Sequence, residues 1–397
     1  MIAIAADGVF DGEVYSGGGA VVVVEAGRIV SVGPAGTTPA GCEVTRFDGC
    51  TILPGLIDTH VHLCCDGKPG ALDRIPDFTA PELDAVIESS LRTQLAAGVT
   101  TVRDLGDRDW AVLDWRARHP DALLPTILAS GPPITIPNGH CWNMGGAVTG
   151  DDALRAAVAE RVTRGADVVK IMASGGINTP GTDPAAAQFT AAELLVVVEE
   201  SHAVGLPVTA HAHSLDAIRF ALAAGVDSIE HCSFITASGL GVDESVVEEL
   251  VATGTPVCPT LGIVPGMTPP PAVLEHLRRT GSDLSTRNAL FARLHHSGVR
   301  IISGSDGGIT PAKAHGILPE SVIALTDGGL SPTAALTTAT RHAATALNLP
   351  TKGRLTPGSD ADLLVVHGNP TTDITTLRSP EALFVRGRRE LSVCGGR

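Results

Sequence analysis

Aromatic side chains are scarce in this chain. They make up 3% of 397 residues, with a single tyrosine at Tyr15, so the core has to be built mainly from Val, Leu, Ile and Ala. Basic residues are also few, 28 Lys and Arg against 43 Asp and Glu, for a net charge of −15. That balance disfavours nucleic acid and anionic membranes as partners and says nothing about a small-molecule substrate, which is expected from the motifs below. No apolar run approaches the roughly eighteen residues of a membrane span. The segment Met1 to Gly8 lacks both a positive region and a full apolar stretch, so no secretory signal is expected. The eight cysteines, at 42, 50, 64, 65, 141, 232, 258 and 394, show no CxxC spacing. They suit a reducing cytoplasm better than a disulfide framework.

What is present is alternation. Strand-like runs recur at 51–63, 99–105, 126–131, 168–173, 207–213, 228–232, 256–261 and 299–305. Helical patterns separate them, for example at 80–97, 151–164 and 191–204, each followed soon by glycine. Ser214 to Gly225 reads as a further helix, with Ser214 as its N-cap. Eight alternations predict an α/β fold, a parallel (β/α)8 TIM barrel. The length suffices for a barrel of about 250 residues plus an accessory domain. Outside the barrel, 20–24 and 29–32 flank a Glu25-Ala26-Gly27-Arg28 turn, and 362–367 and 382–385 are again strands. Neither end has the apolar surface for a domain alone, so the two are expected to form one small β-sandwich. The expected domains are residues 1–50 with 355–397, and 51–354 for the barrel. Pro265 to Pro271 reads as a stiff loop and a candidate pocket wall or lid.

Chemistry-bearing residues collect at the carboxyl ends of these runs, which in such a barrel face one pocket. In Asp58-Thr59-His60-Val61-His62 the two-residue strand period puts both imidazoles on one face, where they can share a cation or be two hydrogen-bonded histidines. Lys170, in Val168-Val169-Lys170-Ile171-Met172, would be costly in a strand without a partner. Read from the residues alone, its stem follows the barrel wall and its ammonium reaches a carboxylate at the rim. His211, His213 and His231 end two short apolar runs, and both His211 and His213 are open as the ligand there. Asp306 ends a buried-looking run into glycines, and a solvated loop aspartate is the other reading of it.

The order His-X-His, Lys, His, His, Asp, together with Leu53-Pro54-Gly55-Leu56-Ile57-Asp58 before the first pair and Gly358-Ser359-Asp360-Ala361-Asp362-Leu363-Leu364-Val365 near the end, resembles the amidohydrolase superfamily over essentially the whole chain. Within it the chain is similar to the branch of imidazolonepropionases, prolidases (Xaa-Pro dipeptidases) and N-acyl amino acid hydrolases. The resemblance implies two divalent metal ions, zinc by default, held by His60, His62, Lys170, His211, His231 and Asp306. It implies that Lys170 is carboxylated by carbon dioxide to N6-carboxylysine, bridging the metals, and that Asp306 shuttles the proton. His211 matches the family position. His213, Arg103, Arg287 and His140 are substrate-binding candidates, His140 also as a donor to the substrate carbonyl, although Cys141 and Trp142 follow it where the family pattern has glycine. The implied reaction is hydrolysis of a C-N bond by a metal-bridging hydroxide, in a dipeptide or an N-acyl amino acid, by a homo-oligomer. The other readings are a cyclic amide or imidazolone-type ring as substrate, a non-hydrolytic metal lyase, and a non-catalytic scaffold.

Overall fold

The computed structural model describes residues 1–390; Cys394 and the end of the expected 355–397 segment lie outside the described residues. The chain opens with β1 (Ile2–Phe10), β2 (Tyr15–Glu25), β3 (Arg28–Pro34) and β4 (Glu43–Pro54). The β2–β3 hairpin turns on Ala26 and Gly27, at φ 47° and 79°. Two positive φ values in a two-residue loop give a turn whose twist matches that of the flanking strands. Next come β5 (Leu56–Val61), β6 (Val99–Asp104) and β7 (Thr126–Ala129), a parallel three-stranded sheet. A second sheet holds β8 (Val169–Met172), β9 (Val208–Ser214), β10 (Ser228–Thr236), β11 (Gly239–Leu240) and β12 (Val257–Cys258). It is parallel except for β11, which folds back on the end of β10. Single parallel bridges join strands of the two sheets to segments outside them: Ile171 of β8 to Ile134, Val257 of β12 to Ile301 and Val61 of β5 to Gly307.

Finally β13 (Leu363–His367), β14 (Pro380–Val385) and β15 (Arg388–Glu390) return to the N-terminal strands. They complete one mixed seven-stranded sheet in the order β15-β14-β13-β4-β1-β2-β3. Ile29 of β3 and Phe384 of β14 are distant in that order, yet they share a buried cluster with Ile4, Val22 and Leu363.

One boundary differs from the sequence reading. Thr51 to Pro54 pair with β13 and belong to the terminal sheet, not to the strand that carries His60. The break is at Gly55, where a Cβ would lie 2.2 Å from the Thr100 hydroxyl oxygen, so only glycine lets the backbone pass.

The helices form where expected. Ala80–Ala96 starts with a capping box between Thr79 and Glu82, and Ala191–Ala203 repeats the device with Thr190 and Glu193. Leu83, Ile87, Leu91 and Leu95, four residues apart, are the buried stripe of the first of these. Each such side chain contributes roughly 1.5–3 kcal/mol on burial. Ser214 caps Leu215–Ala224 by accepting from the Ala217 N–H at 3.1 Å, and Gly225 ends the helix at φ 82°. Among the described residues no helix is long and apolar enough to cross a membrane. The seven described cysteines are free thiols.

Candidate active site

His60 and His62 leave β5 on the face that the strand period assigns them. The Nδ1 of His60 donates to Glu230 Oε2 at 2.8 Å, and that of His62 to the Gly106 carbonyl at 3.1 Å. Both rings therefore turn their Nε2 atoms to Asp306 Oδ1, at 3.4 and 3.3 Å. Asp306 is set by its backbone, at φ 58° with its N–H donating to the His60 carbonyl at 2.8 Å. Burial opposes its charge, but the hydrogen bond from His62 and the nearby His60 and Lys313 hold the carboxyl well below its usual range. Burial likewise opposes charge on His62, yet Asp306 prevails and raises that imidazole to about 9. A cation held by the two Nε2 atoms and Asp306 Oδ1 would displace a proton carried by His62.

Lys170 is buried in β8, and its amine has no hydrogen-bond partner among the described residues. Burial, partly offset by Glu230, lowers it to about 8. His211 projects from β9, its Nε2 donating to the Gly175 carbonyl at 3.1 Å. His231, on β10 at φ 67°, bonds the Thr260 hydroxyl through Nδ1 at 2.8 Å. His213 bonds Ser233 Oγ at 2.9 Å. The ligand-capable atoms of His211, His213 and His231 lie within 4.8 Å of one another, as do those of His60, His62 and Asp306. Both strand-end candidates, His211 and His213, thus join His231. Burial lowers all three far below the usual imidazole range, so they are neutral, as a metal ligand must be.

His140 packs against His211 with ring centroids 4.5 Å apart. Burial lowers it to about 3, so it is neutral. Its Nδ1 lies 2.7 Å from the Thr179 hydroxyl, whose oxygen already accepts from the Cys141 N–H at 3.3 Å. Thr179 can then donate to Nδ1, leaving the proton of His140 on Nε2, which lies 3.5 Å from the Cys141 sulfur, a weak acceptor that a substrate oxygen can replace. Arg287 and Pro269-Pro270 of the proline loop line the same pocket.

Arg103 requires a correction. It does not line the pocket with His140, His213 and Arg287. It lies beneath, bonding Glu230 Oε1 at 2.8 Å and the Thr59 carbonyl at 2.8 Å. Two residues escaped the sequence reading. Glu230 is fully buried between Arg103, Thr209 and His60; its signal was an acid inside an apolar strand. Lys313 donates to the carbonyls of Thr260, Leu261 and Ser305 at 2.6, 3.1 and 3.1 Å, from an irregular loop without periodicity.

Imidazoles and one aspartate gathered at strand ends in a single pocket form donor groups able to hold a metal. Residues 51–389 match the Amidohydrolase family, and the chain belongs to that family, which generally uses a divalent metal centre; it is a hydrolase of C-N bonds. An uncharacterized protein of Mycobacterium tuberculosis is 30% identical over 364 residues, 90% of each chain. An ochratoxinase of Aspergillus niger is 27% identical, over 84% of this chain and 73% of its own. Among solved structures, a Xaa-Pro dipeptidase with bound methionine in its active site superposes with a TM-score of 0.85 at 25% identity, covering 98% of this chain and 99% of its own.

Proposed function

We propose that this enzyme hydrolyses the amide bond of a small N-acyl amino acid or dipeptide, using two divalent cations in one pocket. The observation that carries the reading is the Lys170 amine, without a hydrogen-bond partner among the described residues, which lines one pocket with His60 of one donor cluster and with His211 and His231 of the other. A buried amine lowered to about 8 is partly neutral near pH 7 and able to add carbon dioxide. The resulting carboxylate would offer both clusters an anionic ligand. His60, His62 and Asp306 would hold one cation, and His211 and His231 the other. The donor set of imidazoles and carboxylates suits zinc, manganese, cobalt or iron, with zinc the default.

When bound, the cations supply Lewis acidity, polarising a carbonyl and lowering the pKa of water from 15.7 towards about 7. Asp306 takes a proton from the attacking water, and the water oxygen bonds to the acyl carbon. His140 Nε2–H donates to the carbonyl oxygen as negative charge builds there. Asp306 returns its proton to the nitrogen as the C–N bond breaks, so that one water yields one carboxylic acid and one amine. The Xaa-Pro dipeptidase likeness supports the amide reading.

The same reading takes the two parallel sheets and the segments bridged to them as a (β/α)8 barrel ending at 354 and starting at Gly55 instead of the expected 51, since Thr51 to Pro54 pair with β13. It takes the terminal strands, 1–50 with 355–397, as a β-sandwich, because one face of their sheet closes on itself around Ile4, Val22 and Phe384. The test is amine release by metal-loaded enzyme from a panel of N-acyl amino acids and dipeptides, with Asp306→Asn as the blank. Release that depends on Asp306 is expected; silence across the panel, with two metals bound per chain, overturns the reading.

A further inference from the structure

One positive group in the pocket has no part in the chemistry above. Arg287 stands on the helix Leu284–His296, partly buried, and lines the pocket with His213 and Asp306. Its guanidinium has five N–H donors. Its one hydrogen bond among the described residues reaches the Pro259 carbonyl at 3.4 Å, at the long limit for such a bond. Lys313, the other intact cation in the wall besides Lys170, differs: three backbone carbonyls take up its three donors. Arg287 is therefore the charged donor in the wall left to meet a ligand. Bidentate pairing with a carboxylate is what a guanidinium fork does best.

The acidic side of the pocket is equally informative. Among the described lining residues Asp306 is the sole carboxylate, and it faces His60 and His62. Among the described lining residues no second carboxylate is left to pair with a free ammonium group; the remaining side-chain acceptors, such as Asn178 and Thr310, are neutral. Much of the rest is aliphatic, including Leu72, Ile177, Ile263, Val273 and Ile309. A charged amine placed against such a surface loses water without gaining a counter-charge.

Building on the amide-hydrolase reading, we propose that the substrate is an N-acylated amino acid with a free carboxylate, which Arg287 pairs, and that an unblocked dipeptide is discriminated against because the pocket offers its ammonium no counter-charge. The aliphatic wall receives the acyl chain. This narrows the substrate class to anions carrying an apolar acyl group.

The experiment compares three substrates sharing one scissile bond: an N-acyl amino acid with an apolar acyl chain, the same molecule as its C-terminal carboxamide, and the free dipeptide. Each is assayed on the full, metal-loaded chain as wild type, Arg287→Gln and Arg287→Lys, with circular dichroism and melting curves for fold. Wild type is expected to favour the acid over both others by roughly 10- to 100-fold in kcat/KM, the range for a hydrogen bond to a charged group. Arg287→Gln should lose most of that preference through KM, its loss on the acid exceeding its loss on the carboxamide by about 10-fold or more, and Arg287→Lys should recover part of it.

A carboxamide cleaved as well as the acid, or an unchanged acid preference in Arg287→Gln, overturns the clamp. If Arg287→Gln does not fold, an acid preference in Arg287→Lys that stays equal to wild type overturns it likewise. A free dipeptide cleaved as well as its acylated counterpart overturns the discrimination. In each of these cases amide hydrolysis still stands, whereas a wild type silent on all three substrates brings down the amide reading and the inference with it.

Discussion

Glu230 Oε2 lies 2.8 Å from Nδ1 of His60, and the other oxygen of the same carboxylate lies 2.8 Å from the Arg103 guanidinium. The pair sets the outcome for His60: with Nδ1–H given to Glu230, only Nε2 can face Asp306. Burial opposes ionisation of Glu230, but Arg103 and then His60 keep it ionised well below the usual carboxylate range. A carboxylate behind a metal-binding histidine fixes its tautomer and raises its basicity. Glu230→Gln is therefore expected to weaken metal binding by roughly 10- to 100-fold, the usual cost of losing such a partner. Titration with a metal indicator measures it, and unchanged affinity would remove the positioning role.

Arg103→Met leaves the Glu230 charge buried without its main counter-ion. Breaking a buried pair from one side costs about 3–5 kcal/mol. Urea unfolding of the variant should show a loss of that size. A midpoint equal to wild type would mean that Thr209 and His60 hold Glu230 without Arg103.

Lys170→Ala is expected to keep the fold and lose turnover, with short carboxylic acids partly restoring it by standing in for the bridging carboxylate. Wild type incubated with carbon-13 bicarbonate should give a carbamate carbonyl resonance that the variant lacks. Full activity in the variant would exclude the carboxylated lysine.

Asp306→Asn preserves shape but removes the group that accepts and returns the proton. Loss of general acid-base catalysis is typically worth about 10²–10⁴-fold, so kcat should fall by that order while substrate still binds. An unchanged kcat would end the proton-shuttle assignment.

Asp107 offers a prediction about stability. Burial, with Asp104 adding to it, raises its carboxyl to about 8, and its Oδ1 has no hydrogen-bond partner among the described residues. An unfolded aspartate titrates near about 3.9. Between about 4 and 8 the folded state thus holds a proton that the unfolded state has lost, and stability falls as pH rises through that window. Asp107→Asn should flatten this part of the melting-temperature profile. Identical slopes in variant and wild type would contradict the shift.

Much of the site was legible because it depends on local periodicity. His60 and His62 share a face through the two-residue repeat of an extended chain, Ser214 and Gly225 bound a helix by capping chemistry, and Ala26-Gly27 turns the hairpin. These are near-neighbour effects, carried by backbone sterics and hydrogen bonds that span a few residues. The order of the histidines, Lys170 and Asp306 along the chain was likewise enough to suggest the family to which residues 51–389 belong.

What the tertiary structure decided is which distant groups meet. Arg103 looked like any arginine at a strand end, but the pairing of β5 with β6 and of β9 with β10 places it under Glu230, away from the pocket. Positive φ at His231 breaks the alternation, so that Glu230 and His231, adjacent in sequence, can both serve the site. Thr51 to Pro54 joined the terminal sheet because strands more than 300 residues further on, at Leu363 to His367, supply their hydrogen-bond partners. Lys313 took its place because three carbonyls converge there, an arrangement with no repeat in the sequence. Local pattern follows from backbone geometry alone; the partner of a buried charge is selected by desolvation, which acts only once the chain has closed around it.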